Sequence, residues 1–297
     1  MKKIYIILSF LVFWNVLIAQ PRFGDQQGNL KYRDHELLIN PATLGAVNQY
    51  VLGLSLYKQW TGIESSPLSE LLQYQMSLNQ NSGFGAWVYN ESYGVQNNTQ
   101  FAGAYSFKIK LKESTLALGL SASLLMMHEK QVAGAYRPDD PAFANPPANQ
   151  LGFNTGFGIY YFGKKYHVGF SIPQILTNDF ETGVAKPKLT NTLDFGRMQY
   201  YFTGGYCFDI SEKISLKPAA LMEISGATSL GYEFMFTAEY DRRFEAGIGM
   251  AAHSCIQFSA GAEIIKSIAL RYQYAHHLSN DYNRIGGSHF IVLRLTF

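Results

Sequence analysis

Hydrophobic and polar positions alternate along much of this chain with a period of two residues. In the segment 99–109, an apolar series from Phe101 to Ile109 alternates with a polar and small series from Gln100 to Lys108. The segments 230–240 and 267–275 follow the same rule. Successive side chains of a strand point to opposite faces, so each segment has one apolar face and one face that carries charge or amide. This pattern predicts β-strands along the chain.

Strand length distinguishes a sandwich with one wet face from a membrane barrel. Sandwich strands usually have about 5–6 residues, whereas a strand that spans a membrane needs about 9–11. Most segments here are of the longer kind, and the alternating segment 287–297 pairs most safely with the first strand of a closed barrel. We predict an all-β fold, a transmembrane outer-membrane β-barrel of about 14 antiparallel strands. The predicted strands are 51–58, 70–78, 82–90, 99–109, 115–128, 154–163, 165–172, 199–210, 212–222, 230–240, 243–252, 254–265, 267–276 and 287–297.

The gaps between these strands largely alternate between long and short, as periplasmic turns and outer loops do in bacterial barrels. The long gaps are 59–69, 91–98, 129–153, 173–198 and 277–286. An exception lies near 252–253, where the alternation requires a long gap. This order predicts that both termini lie in the periplasm and that the loops 129–153 and 173–198 lie outside the cell.

Composition agrees with a membrane barrel. Charged residues are 15% of the chain, against roughly 25% in soluble domains, and its 20 Tyr and 21 Phe suit lipid-facing strands with aromatic girdles. The net charge of +2, without a basic patch, indicates no nucleic-acid partner. Both signs of charge occur on the predicted inner faces, which favours a salt-bridged, partly filled lumen, with a water-filled porin as the alternative. These inner residues are Lys108, Glu233, Glu239, Arg243, Glu245, Glu263, Arg271 and Arg294.

The beginning of the chain is typical of an exported protein. Residues 1–19 have a basic start at Lys2 and Lys3 and an apolar core, which predicts a signal peptide cleaved after Ala19. No run of about 18 apolar residues follows, so helical membrane spans are not expected. Residues 20–50 are polar and turn-rich, and we predict that they form a periplasmic N-terminal lead-in to the barrel, which takes up 51–297.

The sequence carries no motif for catalysis, metal or cofactor binding. HExxH, GxSxG, CxxC and P-loop patterns are absent. His276-His277 and Ser288-His289 are neighbours on strands, so the members of each pair point to opposite faces and make a poor metal site or nucleophile–base pair. Cys207 and Cys255 are four predicted strands apart, which predicts two free thiols. We therefore predict no enzyme activity, no metal site and no cofactor.

Several motifs, in order along the chain, resemble one protein family. They are Ile39-Asn40-Pro41-Ala42 with Gly45, similar to the family's "INPAxxG"; Gln59-Trp60 with Gly62, similar to "R-x-Q-W-x-G"; Tyr105 to Leu111, similar to "YAYRIKL"; Gly169 to Pro173, similar to "LGLSIPxLL"; and Gly287-Ser288-His289, similar to "GSHE". The family is PorP/SprF, membrane proteins of the type IX secretion system of Bacteroidetes. Tyr57 and Phe290 depart from its pattern, where basic and acidic residues are usual.

The resemblance implies a 14-stranded outer-membrane barrel that serves type IX secretion and gliding. It implies binding of secreted surface adhesins through their C-terminal sorting domains, or attachment to periplasmic components of the machinery, in contact with outer-membrane lipid. The residues that it marks as candidate partner contacts are Asn40, Pro41, Gly45, Gln59, Trp60, Gly62, Pro173, Ser288 and His289.

Each of these motifs also has a purely structural explanation. Asn40-Pro41 suits a turn, Trp60 suits an interfacial girdle, and Gly45 and Gly62 suit positions of backbone strain. The alternative function is a diffusion channel or transporter for small solutes. An outer-membrane hydrolase is a more distant alternative.

Overall fold

A computed structural model describes residues 35–129, 149–180, 189–225, 229–252, 255–278 and 286–297. The predicted signal peptide 1–19, the first part of the predicted lead-in at 20–34 and most of the predicted loop 129–153 lie outside these residues.

Two short helical elements precede a series of strands. Helix α1 is Glu36–Ile39, and a 3-10 helix follows at Pro41–Ala46. The strands are β1 (Val51–Lys58), β2 (Leu68–Asn79), β3 (Ser82–Tyr93), β4 (Gln96–Lys110), β5 (Ser114–Glu129), β6 (Gln150–Gly163), β7 (Tyr166–Ile172), β8 (Leu176–Phe180), β9 (Leu189–Leu193), β10 (Gln199–Tyr206), β11 (Phe208–Asp209), β12 (Ile214–Ser225), β13 (Ser229–Tyr240), β14 (Phe244–Ala251), β15 (Cys255–Ile265), β16 (Ile268–His277) and β17 (Ser288–Thr296). None of the described helices is long and apolar enough to cross a membrane.

The strands close into a ring. Neighbours in sequence pair antiparallel, β10 bridges β7 and β12, and β1 pairs with β17 from Val51↔Thr296 to Lys58↔His289. Strand β11 continues β10 and also pairs with β12. The result is a closed 14-strand antiparallel barrel, which confirms the predicted fold. Strands β8 and β9 form a separate hairpin.

Each predicted barrel strand is present, but several are longer than predicted. The predicted long gap at 91–98 is wrong, because β3 and β4 continue into it and leave only a turn at Gly94–Val95. Gly94 has a positive φ of 54°, and Thr99 Oγ1 donates to Asn90 Oδ1 at 2.9 Å across the extended pair. The hairpin β8–β9 was not predicted; it lies within the gap 173–198.

The two faces of the wall differ in chemistry as the alternation predicted. Large apolar side chains such as Leu120, Phe236 and Ile248 are exposed on the outer face, where a membrane barrel meets lipid. Polar side chains such as Gln73 and Thr237 are buried on the inner face. Cys207 and Cys255 are both free thiols, as predicted.

The barrel has two distinct ends. At one end, which we call the terminus end, β1 begins, β17 ends and each connection between strands is a short turn. At the other, the loop end, the connections are of mixed length and include the hairpin β8–β9. That the terminus end faces the periplasm stays a prediction.

Candidate functional site

The N-terminal helices lie inside the barrel. Residues 37–45 are all buried, and Leu37, Leu38 and Leu44 form one apolar cluster with Trp87 and other inner-wall residues. We call residues 35–46 the plug segment. Its position differs from the predicted periplasmic lead-in, because burial of these apolar side chains against the inner wall removes them from water. The periplasmic position of residues 20–34 stays a prediction.

Further along, the plug reaches the far side of the lumen. Ile39 packs with Tyr201 of β10 and Leu221 of β12. The plug therefore contacts β10 and β12 in addition to the wall around Trp87. Most of the contacts of residues 35–46 lie on the wall from β2 to β6.

Asn40 and Pro41 make the bend between the two helices. The Asn40 backbone N–H donates to Glu36 O at 2.7 Å, and its side-chain Oδ1 accepts from Ala42 N at 2.9 Å. Pro41 occupies the first position of the 3-10 helix, where a missing N–H costs nothing. The structural explanation of this motif as a turn therefore holds.

Asn40 also ties the plug to the wall. Its Nδ2 donates to Ile159 O of β6 at 3.0 Å and to Phe170 O of β7 at 3.4 Å. Ser106 of β4 donates through Oγ to Ala42 O at 3.3 Å. The motif is thus hydrogen-bonded to three strands through its own amide and backbone.

Glycines line the wall where the plug packs against it. A Cβ added to Gly119 of β5 would overlap the backbone of Pro41 and Ala42, and one added to Gly158 of β6 would overlap the side chain of Asn40. Gly45 in turn lies directly against Ala117 of β5. The close approach of plug and wall requires the absence of side chains on both surfaces.

His35 anchors the start of the plug near the seam between β1 and β17. It is 1% exposed, its Nε2 shares a hydrogen bond of 2.7 Å with Ser55 Oγ, and its ring meets Phe290 edge to face at 5.0 Å. Burial lowers the pKa of His35 from 6.5 to about 3, because it disfavours the charged imidazolium. His35 is therefore neutral at physiological pH.

A second group of motif residues meets at the loop end. Trp60 N donates to Ser288 Oγ at 3.3 Å, and Thr61 N donates to Gly287 O at 3.1 Å. The segment after β1 and the segment before β17 thereby hold each other across the seam. Trp60 has a positive φ of 45°, a conformation that is uncommon for a bulky residue.

The remaining residues of this group have separate positions. Gln59 is 5% exposed, and its N–H donates to Pro67 O at 2.9 Å. Gly62 lies close to Gly286, because a Cβ added to Gly286 would be 2.8 Å from Gly62 N. His289 shares a hydrogen bond of 2.7 Å with Tyr272 on the outer face, whereas Ser288 is buried, so the two do not pair.

Pro173 belongs to neither group. It follows β7 and turns the chain inward over β6, where Ile175 N donates to Thr155 O at 2.9 Å. Asn154 then holds Leu176 by two bonds of 2.7 and 3.0 Å. This turn leads into the hairpin β8–β9, which packs against β6.

The wall from β12 to β17 carries all the charges predicted for the inner face except Lys108, which is buried on β4. At the terminus end, Lys217 pairs with Glu239 at 2.6 Å, and Arg271 pairs with Glu245. These groups line a cavity of about 180 Å³, the charged cavity, together with Arg242, Arg243, Glu263 and Arg294. In the described part of the chain, no group of three or more potential ligands is arranged to hold a metal ion.

The comparison with protein families decides the assignment. A family model described as the type IX secretion system membrane protein PorP/SprF matches residues 25–295. The chain belongs to the PorP/SprF family. The resemblance seen in the motifs is therefore confirmed, and this PorP/SprF protein is an outer-membrane β-barrel of type IX secretion.

Solved structures show the same fold at low identity. Omp33 of Acinetobacter baumannii has a TM-score of 0.51 with 9% identity, over 84% of this chain and 98% of that one. The toluene transporter TodX of P. putida has a TM-score of 0.51 with 11% identity, over 88% of this chain and 94% of that one. At such identities the likeness shows the barrel fold alone. A comparison with curated protein sequences gave no match.

Proposed function

We propose that this PorP/SprF protein is an anchor or assembly component of type IX secretion that binds protein partners at the outer membrane and catalyses no reaction. The partners are components of the machinery, or secreted adhesins held through their C-terminal sorting domains. The family match over residues 25–295 carries this proposal.

The position of the motifs supports binding over passage. The segment from Ile39 to Gly45 is used to fill one side of the lumen. The segments around Trp60 and Ser288 build a braced rim at the loop end. A filled lumen and a rigid rim suit a protein that presents a surface, because a preformed surface loses less conformational entropy on binding.

Photo-crosslinking in native envelopes tests this proposal. A photoreactive amino acid is placed at Ile63, which is exposed beside the rim, with Leu120 on the lipid-facing wall as the matched control. We expect adducts with a secretion component or a surface protein at Ile63 and none at Leu120. Recovery of neither class of protein at any rim position would count against an anchor.

A solute channel is the second candidate, and the charged cavity favours it. Its mixed charges and a lumen that the plug contacts mainly on one wall suit a narrow aqueous path. Planar-bilayer recording separates the candidates. Steady conductance of the intact protein supports a channel, and silence supports a plugged anchor.

A further inference from the structure

The charged cavity has more positive than negative groups. Five cations line it, Lys217, Arg242, Arg243, Arg271 and Arg294, against three carboxylates, Glu239, Glu245 and Glu263. The difference is two positive charges, on the inner wall of β12 to β17 at the terminus end. Most contacts of residues 35–46 lie on β2 to β6, so these residues leave the charged wall uncovered at that end.

The ion pairs of the cavity offset the repulsion between two neighbouring carboxylates. Glu239 and Glu245 are directly opposite each other in the β13–β14 ladder, where like charges destabilise a sheet. Each is neutralised from its other side, Glu239 by Lys217 and Glu245 by Arg271. The Arg271 pair passes over Gly261 of β15, where a Cβ would meet Glu245 Oε1 at 2.8 Å.

Three arginines, Arg242, Arg243 and Arg294, are left over after this pairing, and the last two are spread across the cavity from the start of β14 to β17. Among the described residues, Arg243 and Arg294 have no ion pair with a carboxylate, and both are exposed to the cavity. Arg243 lies beside the Phe244 ring at 5.9 Å, a contact that leaves its N–H groups available. Glu263 is the one lining carboxylate outside the two pairs. A planar guanidinium with free donors matches a carboxylate of a ligand.

We propose that the charged cavity is a docking socket for an acidic segment of a protein partner, which enters from the terminus end and pairs with Arg243 and Arg294. This inference rests on the proposed function, because it gives the chemistry of one partner of the anchor. Charge complementarity of this kind sets specificity and the rate of association.

Two other sources of negative charge, a lipid headgroup and the chain's own N-terminal segment, fit the charged cavity less well. Arg294 shares the inner face of β17 with the buried Phe290 and Val292, so the headgroup of a surrounding lipid fits this residue less well. The chain's own N-terminal segment 20–34 has Arg22, Lys31 and Arg33 against Asp25 and Asp34, so it is not acidic. An acidic segment of another protein is the remaining complement.

Peptide binding tests the socket directly. The full-length protein in detergent is titrated with a fluorescent glutamate-rich peptide, with a Gly-Ser peptide and a lysine-rich peptide as controls, and anisotropy is measured. We expect selective binding of the acidic peptide that weakens as salt is raised. Absence of selectivity for the acidic peptide would overturn the proposal.

Three variants test whether the named residues are responsible. The double variant Arg243→Gln/Arg294→Gln should weaken binding by about tenfold, since two partly exposed charge pairs are lost. Lys112→Gln, an exposed cation of the β4–β5 turn outside the cavity, should change nothing. Glu263→Gln should tighten binding, a gain that a damaged barrel does not produce. Unchanged affinity in the double variant and in Glu263→Gln would refute the assignment.

Crosslinking in native envelopes separates this inference from the proposed function. A photoreactive residue at Ala269, which lines the cavity, should capture a machinery component with an acidic segment. Adducts at Ile63 without adducts at Ala269 would overturn the socket and leave the anchor intact. Adducts at neither position would contradict both.

Discussion

Asn40 shows how one residue carries several structural tasks in this protein. Its backbone ends α1, its Oδ1 opens the 3-10 helix, and its Nδ2 bonds to the wall at Ile159 and Phe170. These structural roles are enough to explain the motif, so no contact with a partner protein is needed to account for it. The candidate contact residues that are buried in the plug therefore have a sufficient structural reason. Trp60, Gly62 and His289, which are not buried, are the better candidates for partner contact.

Replacement of Asn40 should loosen the plug. Asn40→Ala removes a helix cap worth about 1 kcal/mol and two wall bonds worth about 1 kcal/mol each, so docking should weaken by about 2–3 kcal/mol. Hydrogen exchange of the peptide that covers residues 41–47 should become about 30- to 160-fold faster. Asn81→Ala, in an exposed turn, is the control. Equal protection in both variants would show that the apolar contacts alone hold the plug.

His35 should make plug docking sensitive to acid. A released His35 has its ordinary pKa of 6.5, whereas the docked residue has a pKa of about 3. The released form therefore takes up a proton first, and docking is fully stable above pH 6.5 and weakens as pH falls from 6.5 to 3, by up to about tenfold per unit. Bilayer conductance should rise over this range in the native protein and stay flat in His35→Gln. His276→Gln, on the exposed outer face, should behave like the native protein. The same acid response in His35→Gln would assign it to another group.

Among the structural elements, the barrel strands were predictable from the sequence because they share one repeating pattern. The plug and the hairpin β8–β9 have no such pattern and were not predicted. Alternation identifies every barrel strand, because lipid outside and polar lumen inside impose a period of two on each. The plug has no such period, since its two helices are short and take their stability from the wall. A signal was nonetheless present: the apolar run Leu37 to Ile39 within a polar segment, and glycines such as Gly119 and Gly158 on inner faces. The hairpin β8–β9 was missed for a similar reason, because two strands of five residues are indistinguishable from a long loop.

The fit between plug and glycine wall gives a test at this scale. Gly158→Val should expel the plug, because its side chain would occupy the position of Asn40, and overpacking of this kind typically costs about 1–3 kcal/mol or more. Protease cleavage within residues 35–46 should increase while the barrel keeps its heat-modifiable migration on gels. Gly103→Val is the control, since a Cβ there has its nearest neighbour at 3.9 Å. Equal cleavage of the two variants would refute a seat that depends on Gly158.

Across the whole molecule, the inner wall is divided by chemistry. The strands from β2 to β7 carry apolar side chains and glycines that receive the plug. The strands from β12 to β17 carry the charged cavity at the terminus end. The ring itself closes through the β1–β17 ladder, which has no contribution from the plug in its pairing. Barrel closure and lumen filling are therefore separable properties of this chain.

This separation predicts that a barrel without its plug still forms but conducts. A variant that lacks residues 20–46 keeps every strand of the ladder, so it should insert and migrate as a heat-modifiable barrel, with lower stability because Trp87 and Tyr201 lose apolar cover. Planar bilayers should then show steady conductance. The matched control locks the plug with a disulfide: Ala42→Cys with Ala117→Cys, which belong to one buried cluster, in a background where Cys207 and Cys255 are replaced by Ser. The oxidised control should stay silent, also in acid. If the barrel without residues 20–46 formed and stayed silent, the plug would not be what closes the lumen, and the inward-turned segment from Pro173 to the hairpin β8–β9 would be the next element to remove.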